Sequence, residues 1–105
     1  MAGSDIGVIG MAVMGQNIAL NFESKGYTVS VYNRTGSKTR DFVEARTEGR
    51  DVVPSYDLEA FVESLDRPRA VLLMVKAGEP VDIFIDKLIP LLEEGDVLID
   101  GGNSD

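Results

Sequence analysis

Short, unbroken apolar runs alternate along this chain with longer segments in which apolar residues recur every third or fourth position. Ile6 to Gly10 is the first such run and predicts a strand. Met14, Ile18 and Phe22 then recur at four-residue spacing, which predicts an amphipathic helix over Val13 to Lys25, stopped by Gly26 in the left-handed conformation. The β-branched and aromatic run Thr28 to Tyr32 predicts a second strand. Ser37 to about Arg46 predicts a weaker helix anchored by Phe42, Val43 and Ala45, and Val52-Val53 ahead of Pro54 predicts a brief third strand. Between them Thr47 to Asp51 is a polar surface loop and the loosest piece of the chain. Leu58, Phe61, Val62 and Leu65 follow the i, i+3, i+4, i+7 rule, with Asp57 or Ser55 as N-cap and Pro68 as the breaker. Ala70 to Val75 is continuously apolar, the signature of a strand buried on both faces. After Pro80, Val81, Phe84, Ile85 and Leu88 share one helix face. Pro90 either kinks that helix or starts a new last turn, and Gly95 ends it before a fifth strand at Val97 to Ile99. Strands alternating with helices imply right-handed crossovers and a doubly wound parallel α/β sheet.

Ligands of such sheets bind outside the carboxyl ends of the strands, and the chemically unusual residues fall there. The first strand ends at Gly10, the second at Asn33-Arg34-Thr35, the fourth at Lys76-Ala77-Gly78 and the fifth at Asp100-Gly101-Gly102-Asn103-Ser104. Gly10-Met11-Ala12-Val13-Met14-Gly15 is a strand–turn–helix junction of dinucleotide-binding form, G-x-A-x-x-G, with alanine at the middle position. Gly10 permits the tight turn, Gly15 permits close packing of helix on strand, and the helix beginning near Val13 aims free N–H groups at a pyrophosphate. The Ala12 methyl should hold that pyrophosphate slightly away. Read alone, these glycines also suit a strand–turn–helix without a ligand. A dinucleotide fingerprint normally places an acid at the end of the second strand, about 20 residues on, to bind a free ribose 2′-hydroxyl. This chain has Arg34 there instead. A carboxylate would repel a 2′-phosphate, whereas a guanidinium forks onto it, so the cofactor implied is NADP. Gly101-Gly102-Asn103-Ser104 suits either a close ligand approach or a plain loop, and Asp100 is most simply a helper to that turn.

Composition narrows the functional classes. The 105 residues suffice for one domain with a single core, and 44% hydrophobic with 27% charged residues is ordinary for a globular chain. A net charge of −8 argues against a nucleic-acid partner, although Arg34, Lys38 and Arg40 cluster after the second strand. No apolar run reaches the roughly 18 residues of a membrane span. Met1 to Asp5 lacks the basic and apolar regions of a secretory signal. The absence of cysteine excludes disulfides and fits a cytoplasmic location, and the absence of histidine removes the commonest general base.

Four segments together resemble the N-terminal coenzyme domain of the 6-phosphogluconate dehydrogenase family: Gly10 to Asn17, Gly26 to Thr35, Val75 to Gly78, and Ile99 to Ser104. The alanine in the glycine turn is that family's form. The resemblance implies a Rossmann-like domain over residues 1–105, cut at its fifth main strand, with the helical substrate and dimerisation domain lying beyond it. It implies that Gly10, Met11, Ala12, Val13, Met14 and Gly15 cradle the NADP pyrophosphate. Asn33, Arg34 and Thr35 would bind the 2′-phosphate end, and Val75, Lys76 and Ala77 would line ribose and diphosphate. Asn103 would touch both nicotinamide and substrate. The implied parent is a cytoplasmic homodimer of the pentose phosphate pathway, oxidatively decarboxylating 6-phosphogluconate to ribulose 5-phosphate. Its lysine base and glutamate acid lie past residue 105, so no catalytic residue falls here and this piece alone should be inactive. Two other readings are a 3-hydroxyisobutyrate dehydrogenase-like enzyme, whose turn usually keeps a middle glycine, and a non-catalytic module that binds NADP. The encoded sequence after Asp105 discriminates between enzyme and module.

Overall fold

A computed structural model describes residues 3–74 and 81–101. Strand and helix alternate as β1 (Ile6–Ile9), α1 (Val13–Ser24), β2 (Val29–Tyr32), α2 (Gly36–Arg46), β3 (Val52–Ser55), α3 (Leu58–Glu63), β4 (Ala70–Leu73), α4 (Val81–Leu88) and β5 (Val97–Asp100). The strands form one parallel sheet in the order β3-β2-β1-β4-β5. From β1 the chain winds outward to β3, then crosses back to β4 on the other side of β1. Crossovers of one hand therefore put α1 and α2 on one face and α3 and α4 on the other. The reversal between β1 and β4 opens a crevice at their carboxyl ends.

Strand alternation sorts the core into two layers. Val8 lies in register with Val31 and Leu72 and points toward α1 and α2, where Met11, Ala19, Val29, Phe42 and Met74 complete one cluster. Ile9 lies in register with Tyr32 and Leu73 and points the other way, against Phe61, Val62, Leu65, Phe84 and Leu88. By the same alternation Val97 and Ile99 fall on the α1/α2 side. They stay 50% and 47% exposed because α1 covers β1 and β2 while α2 covers β2 and β3.

Several local expectations change. The buried side of α1 is Gly15 and Ala19, flanked by half-buried Ile18 and Phe22, whereas Met14 is exposed because the first turn overhangs the strand ends. On α2 the inward face is Thr39, Phe42 and Val43, and Ala45 lies on the solvent side of the helical period. Strand β3 continues through Pro54 to Ser55, since an edge strand tolerates a residue without an N–H. Asp57 is the N-cap of α3, accepting from the Ala60 N–H at 3.1 Å. That helix ends at Glu63 with Ser64 as its C-cap, well before Pro68. There the Ser64 hydroxyl donates to the Phe61 carbonyl, and the chain forms a bridge between Leu65 and Ser4. Helix α4 stops at Leu88, and Pro90 lies in a separate turn closed by the Leu91 N–H on the Leu88 carbonyl. The loop from Thr47 to Asp51 is tied down: Glu23 accepts from the Arg50 guanidinium at 3.0 Å and from the Asp51 N–H at 3.1 Å. Among the described residues no helix is long and apolar enough to cross a membrane.

At the amino edge of the sheet, Asp96 accepts from the Arg69 N–H at 2.6 Å and the Glu93 N–H at 2.8 Å, with the Arg69 guanidinium at 3.4 Å. The backbone bond from Arg69, followed by that from Glu93, holds the Asp96 carboxyl below its ordinary pKa. A depressed folded-state pKa contributes stability that is present above the unfolded value and is lost as the pH falls through the folded one. Asp96→Asn should therefore lower the urea midpoint at neutral pH, and its deficit against the parent chain should shrink from about pH 4 downward. Urea titrations at stepped pH check this, and a deficit that stays constant through the acid range would contradict it.

Candidate functional site

The carboxyl end of β1 turns on Gly10, whose φ of +107° lies in the region that favours glycine. A Cβ at Gly10 would strike the carbonyl of Met74 at the end of β4, and one at Gly15 would strike the carbonyl of Gly10. The first turn of α1 thus sits directly on the turn, with no side chain between them. Gly10 donates to the Tyr32 carbonyl at 2.8 Å and Met74 donates to Ile9 at 2.7 Å, which fixes the turn to both neighbouring strands. Met11 is fully buried in the core, and its N–H donates to Asn33 Oδ1 at 2.8 Å. Ala12 is the N-cap residue of α1, exposed like Val13 and Met14. The opening N–H groups of α1 have no carbonyl of their own helix to reach, so they and the positive end of the helix dipole face the crevice.

At the end of β2, Asn33 bridges two loops: its Oδ1 holds Met11 and its Nδ2 donates to the Thr35 carbonyl at 3.1 Å. Thr35 is the N-cap residue of α2 and makes no side-chain cap bond. Arg34 is exposed, and among the described residues no carboxylate pairs with it. Beside it opens a cavity of about 310 Å³ lined by Tyr32, Arg34, Tyr56, Asp57, Leu58, Ile83, Phe84 and Lys87. The Tyr32 ring is steadied by Phe61, with centroids 6.0 Å apart. Burial pushes the Tyr32 phenol up, the Asp57 carboxylate adds to the shift, and Arg34 opposes it. Tyr32 accordingly stays a neutral hydroxyl at physiological pH, able to donate or accept at the cavity wall.

Gly10 to Gly15 and Asn33 to Thr35 thus lie at adjacent strand ends, joined by the Asn33–Met11 hydrogen bond. Val75, Lys76 and Ala77, and Asn103, lie outside the described residues. No sequence motif marks Tyr56, Leu58, Ile83, Phe84 and Lys87 as cavity walls, and spacing alone predicts Asp57 only as a helix cap. A signal existed: the loop after β3 is also a carboxyl strand end, but that strand looked finished before Pro54. Among the described residues no cluster of acidic side chains could hold a metal ion.

The geometry suits a dinucleotide. A glycine cradle that a Cβ would fill meets a helix N-terminus, and a cation flanks a cavity roomy enough for a nucleobase. Comparison with known proteins agrees. The 6-phosphogluconate dehydrogenase, decarboxylating, of Synechococcus elongatus is 56% identical over 104 residues, which is 99% of this chain and 22% of that protein. The enzyme of the same name from Dictyostelium discoideum is 59% identical over 103 residues, covering 98% and 21%. The chain therefore spans about a fifth of the length of these curated relatives. Among solved structures, Plasmodium falciparum 6-phosphogluconate dehydrogenase, studied in apo form and with NADP+ and 6-phosphogluconate, superposes with a TM-score of 0.87 at 44% identity. That match covers 96% of this chain and 22% of that one. Glycerol-3-phosphate dehydrogenase from Coxiella burnetii superposes at 0.80 with 16% identity, covering 96% of this chain and 33% of that one, a likeness of fold alone. Residues 5–105 match the family described as the NAD binding domain of 6-phosphogluconate dehydrogenase, and the chain belongs to that family.

Proposed function

We propose that this chain is the coenzyme-binding part of an NADP-dependent oxidative decarboxylase that converts 6-phosphogluconate to ribulose 5-phosphate, carbon dioxide and NADPH. The observation that carries the cofactor choice is Arg34, an exposed guanidinium without a carboxylate partner among the described residues, at the strand end where an NAD-binding fold keeps an acid. In this reading Arg34 and Thr35 take the 2′-phosphate, and the cavity between Tyr32, Tyr56, Leu58 and Phe84 takes the adenine. The Gly10–Gly15 turn, with Ala12, Val13 and Met14 on its open side, takes the pyrophosphate. Asn33 contributes by locking the two phosphate-binding loops together through Met11 and Thr35. Val75, Lys76 and Ala77 would line ribose and diphosphate, and Asn103 would stand between nicotinamide and substrate. The cofactor supplies a hydride acceptor. What these residues do is bind and orient it.

Oxidising an alcohol also needs a base to take the hydroxyl proton. Lys25 caps α1 at the amino edge, Lys38 lies on α2 and Lys87 on α4, and the chain has no histidine. The base, most of the substrate pocket and the helices of a homodimer interface would belong to the remaining four-fifths of the parent. A cytoplasmic location fits a cysteine-free chain.

Charge-assisted hydrogen bonds contribute roughly 1.5–3 kcal/mol, so Arg34→Ala should weaken NADP+ binding about ten- to hundredfold and change NAD+ binding far less. Calorimetric titration of both cofactors tests it, and equal losses would sink the assignment. In a full-length parent, Asn103→Ala should raise KM for 6-phosphogluconate and lower kcat; unchanged steady-state kinetics would return Asn103 to a plain loop. The 105-residue chain itself should bind NADP+ weakly and form no NADPH from 6-phosphogluconate. Turnover by the chain alone would mean that a base lies within it.

A further inference from the structure

The glycine turn owes its shape to more than glycine. Both polar groups of Met11 are held by side chains: the N–H by Asn33 Oδ1 and the carbonyl by Gln16 Nε2, each at 2.8 Å. Gln16 is itself held, because its Oε1 accepts from an Arg46 guanidinium nitrogen at 2.9 Å. The other terminal nitrogen of Arg46 donates to Asn17 Oδ1 at 3.0 Å. Arg46 only donates and the Met11 carbonyl only accepts, so the Gln16 amide has one orientation that satisfies both. Arg46 stands in the last turn of α2, whose first turn follows Arg34 and Thr35.

We propose that Gln16 is a positioning residue for the dinucleotide pyrophosphate, clamping the Met11 carbonyl so that the following N–H groups point into the crevice, and that Arg46 holds Gln16 in place from α2. The proposal rests on the cofactor reading above. Fixing the peptides on either side of Met11 leaves the turn little freedom to lose when an anion arrives. Without Gln16 the Met11 carbonyl would turn to water, and part of the ordering cost would fall on the binding step. The clamp also acts locally: it touches the turn and leaves the adenosine cavity beside Arg34 alone.

That locality supplies the test, with two probes on the 105-residue chain. NADP+ spans both regions, whereas adenosine 2′-monophosphate carries the adenine and 2′-phosphate but no pyrophosphate. Gln16→Ala should weaken NADP+ about five- to tenfold and leave adenosine 2′-monophosphate within about twofold. Gln16→Glu keeps an acceptor for Arg46 but cannot donate to Met11, so it should weaken NADP+ at least as much while holding the melting temperature of the parent chain. Arg46→Ala, which leaves Gln16 present but unrestrained, should cost NADP+ about two- to threefold. Arg46→Ala places no new carboxylate at the turn, so the measurement stands even if Gln16→Ala folds poorly or the Gln16→Glu carboxylate itself repels the pyrophosphate. Parallel losses for both probes, or unchanged NADP+ affinity in Gln16→Glu, would overturn the positioning role while leaving the cofactor reading intact. Failure of the parent chain to bind NADP+ would overturn both.

Discussion

Three stretches of backbone meet at one point without a side chain between them: the Gly10 turn, the start of α1 at Gly15, and the end of β4 at Met74. Only glycine at positions 10 and 15 allows that approach, and much else follows from it. Helix α1 sits low on the sheet, so its contact surface is the small pair Gly15 and Ala19, and its larger residues are displaced to the flanks. Its amino end comes to lie over the β1–β4 crevice, where the strand order reverses. An added methyl at either glycine would lift the helix, widening the gap that the opening N–H groups have to cover.

The two edges of the sheet are built to opposite purposes. At the amino edge, polar groups satisfy one another within the protein. The Ser30 hydroxyl donates to Ser4 Oγ at 2.6 Å and lies 2.7 Å from Ser64 Oγ, while Asp66 accepts from the Gly3 N–H at 2.7 Å. Arg69 and Asp96, with side chains 6% and 2% exposed, close the β4–β5 side. A buried pair of this kind is valuable mainly because losing one partner strands the other. Arg69 Nε, buried without a partner among the described residues, shows that the closure is not perfect. At the carboxyl edge, by contrast, the side chains of Asn33 and Gln16 hold the backbone of a turn whose own N–H groups are turned outward. Hydrogen-bond capacity is consumed at one edge and presented at the other.

Most of the architecture was legible because it depends on local patterning. Apolar runs between glycine and polar turns located five strands, and strand–helix alternation fixed a parallel, doubly wound order. What the pattern could not convey were features set by tertiary position. Met14 belongs to an apolar stripe in sequence, but the first turn of α1 overhangs the sheet and leaves it exposed. Pro54 looked like a strand terminator until β3 proved to be an edge. The cavity walls on the β3–α3 loop and α4 are far apart in sequence and carry no motif, so only folding unites Tyr56 with Phe84 and Lys87. The tie from Arg46 to Gln16 was equally invisible, because a helix surface reads as solvated charge until another helix is seen beside it.

A chain with net charge −8 that holds an anionic cofactor presents an apparent contradiction, and the distribution of charge resolves it. At the amino edge acidic residues are matched by arginines: Glu23 pairs with Arg50, Glu93 with Arg67 and Asp96 with Arg69. Glu63 stands in the last turn of α3, against the preference of a helix dipole, and so adds negative potential to that edge. Arg34 stands at the opposite edge, just ahead of the positive end of α2, and Asp57 on the nearby cavity wall turns its carboxylate into the cap of α3. Charge is thus largely matched at the amino edge, while the Arg34 cation is presented at the carboxyl edge without a carboxylate partner among the described residues. A phosphate-bearing ligand approaching a body of net negative charge is repelled at most orientations and favoured at the crevice, so the acidic surplus sharpens the direction of approach and leaves attraction at the site intact.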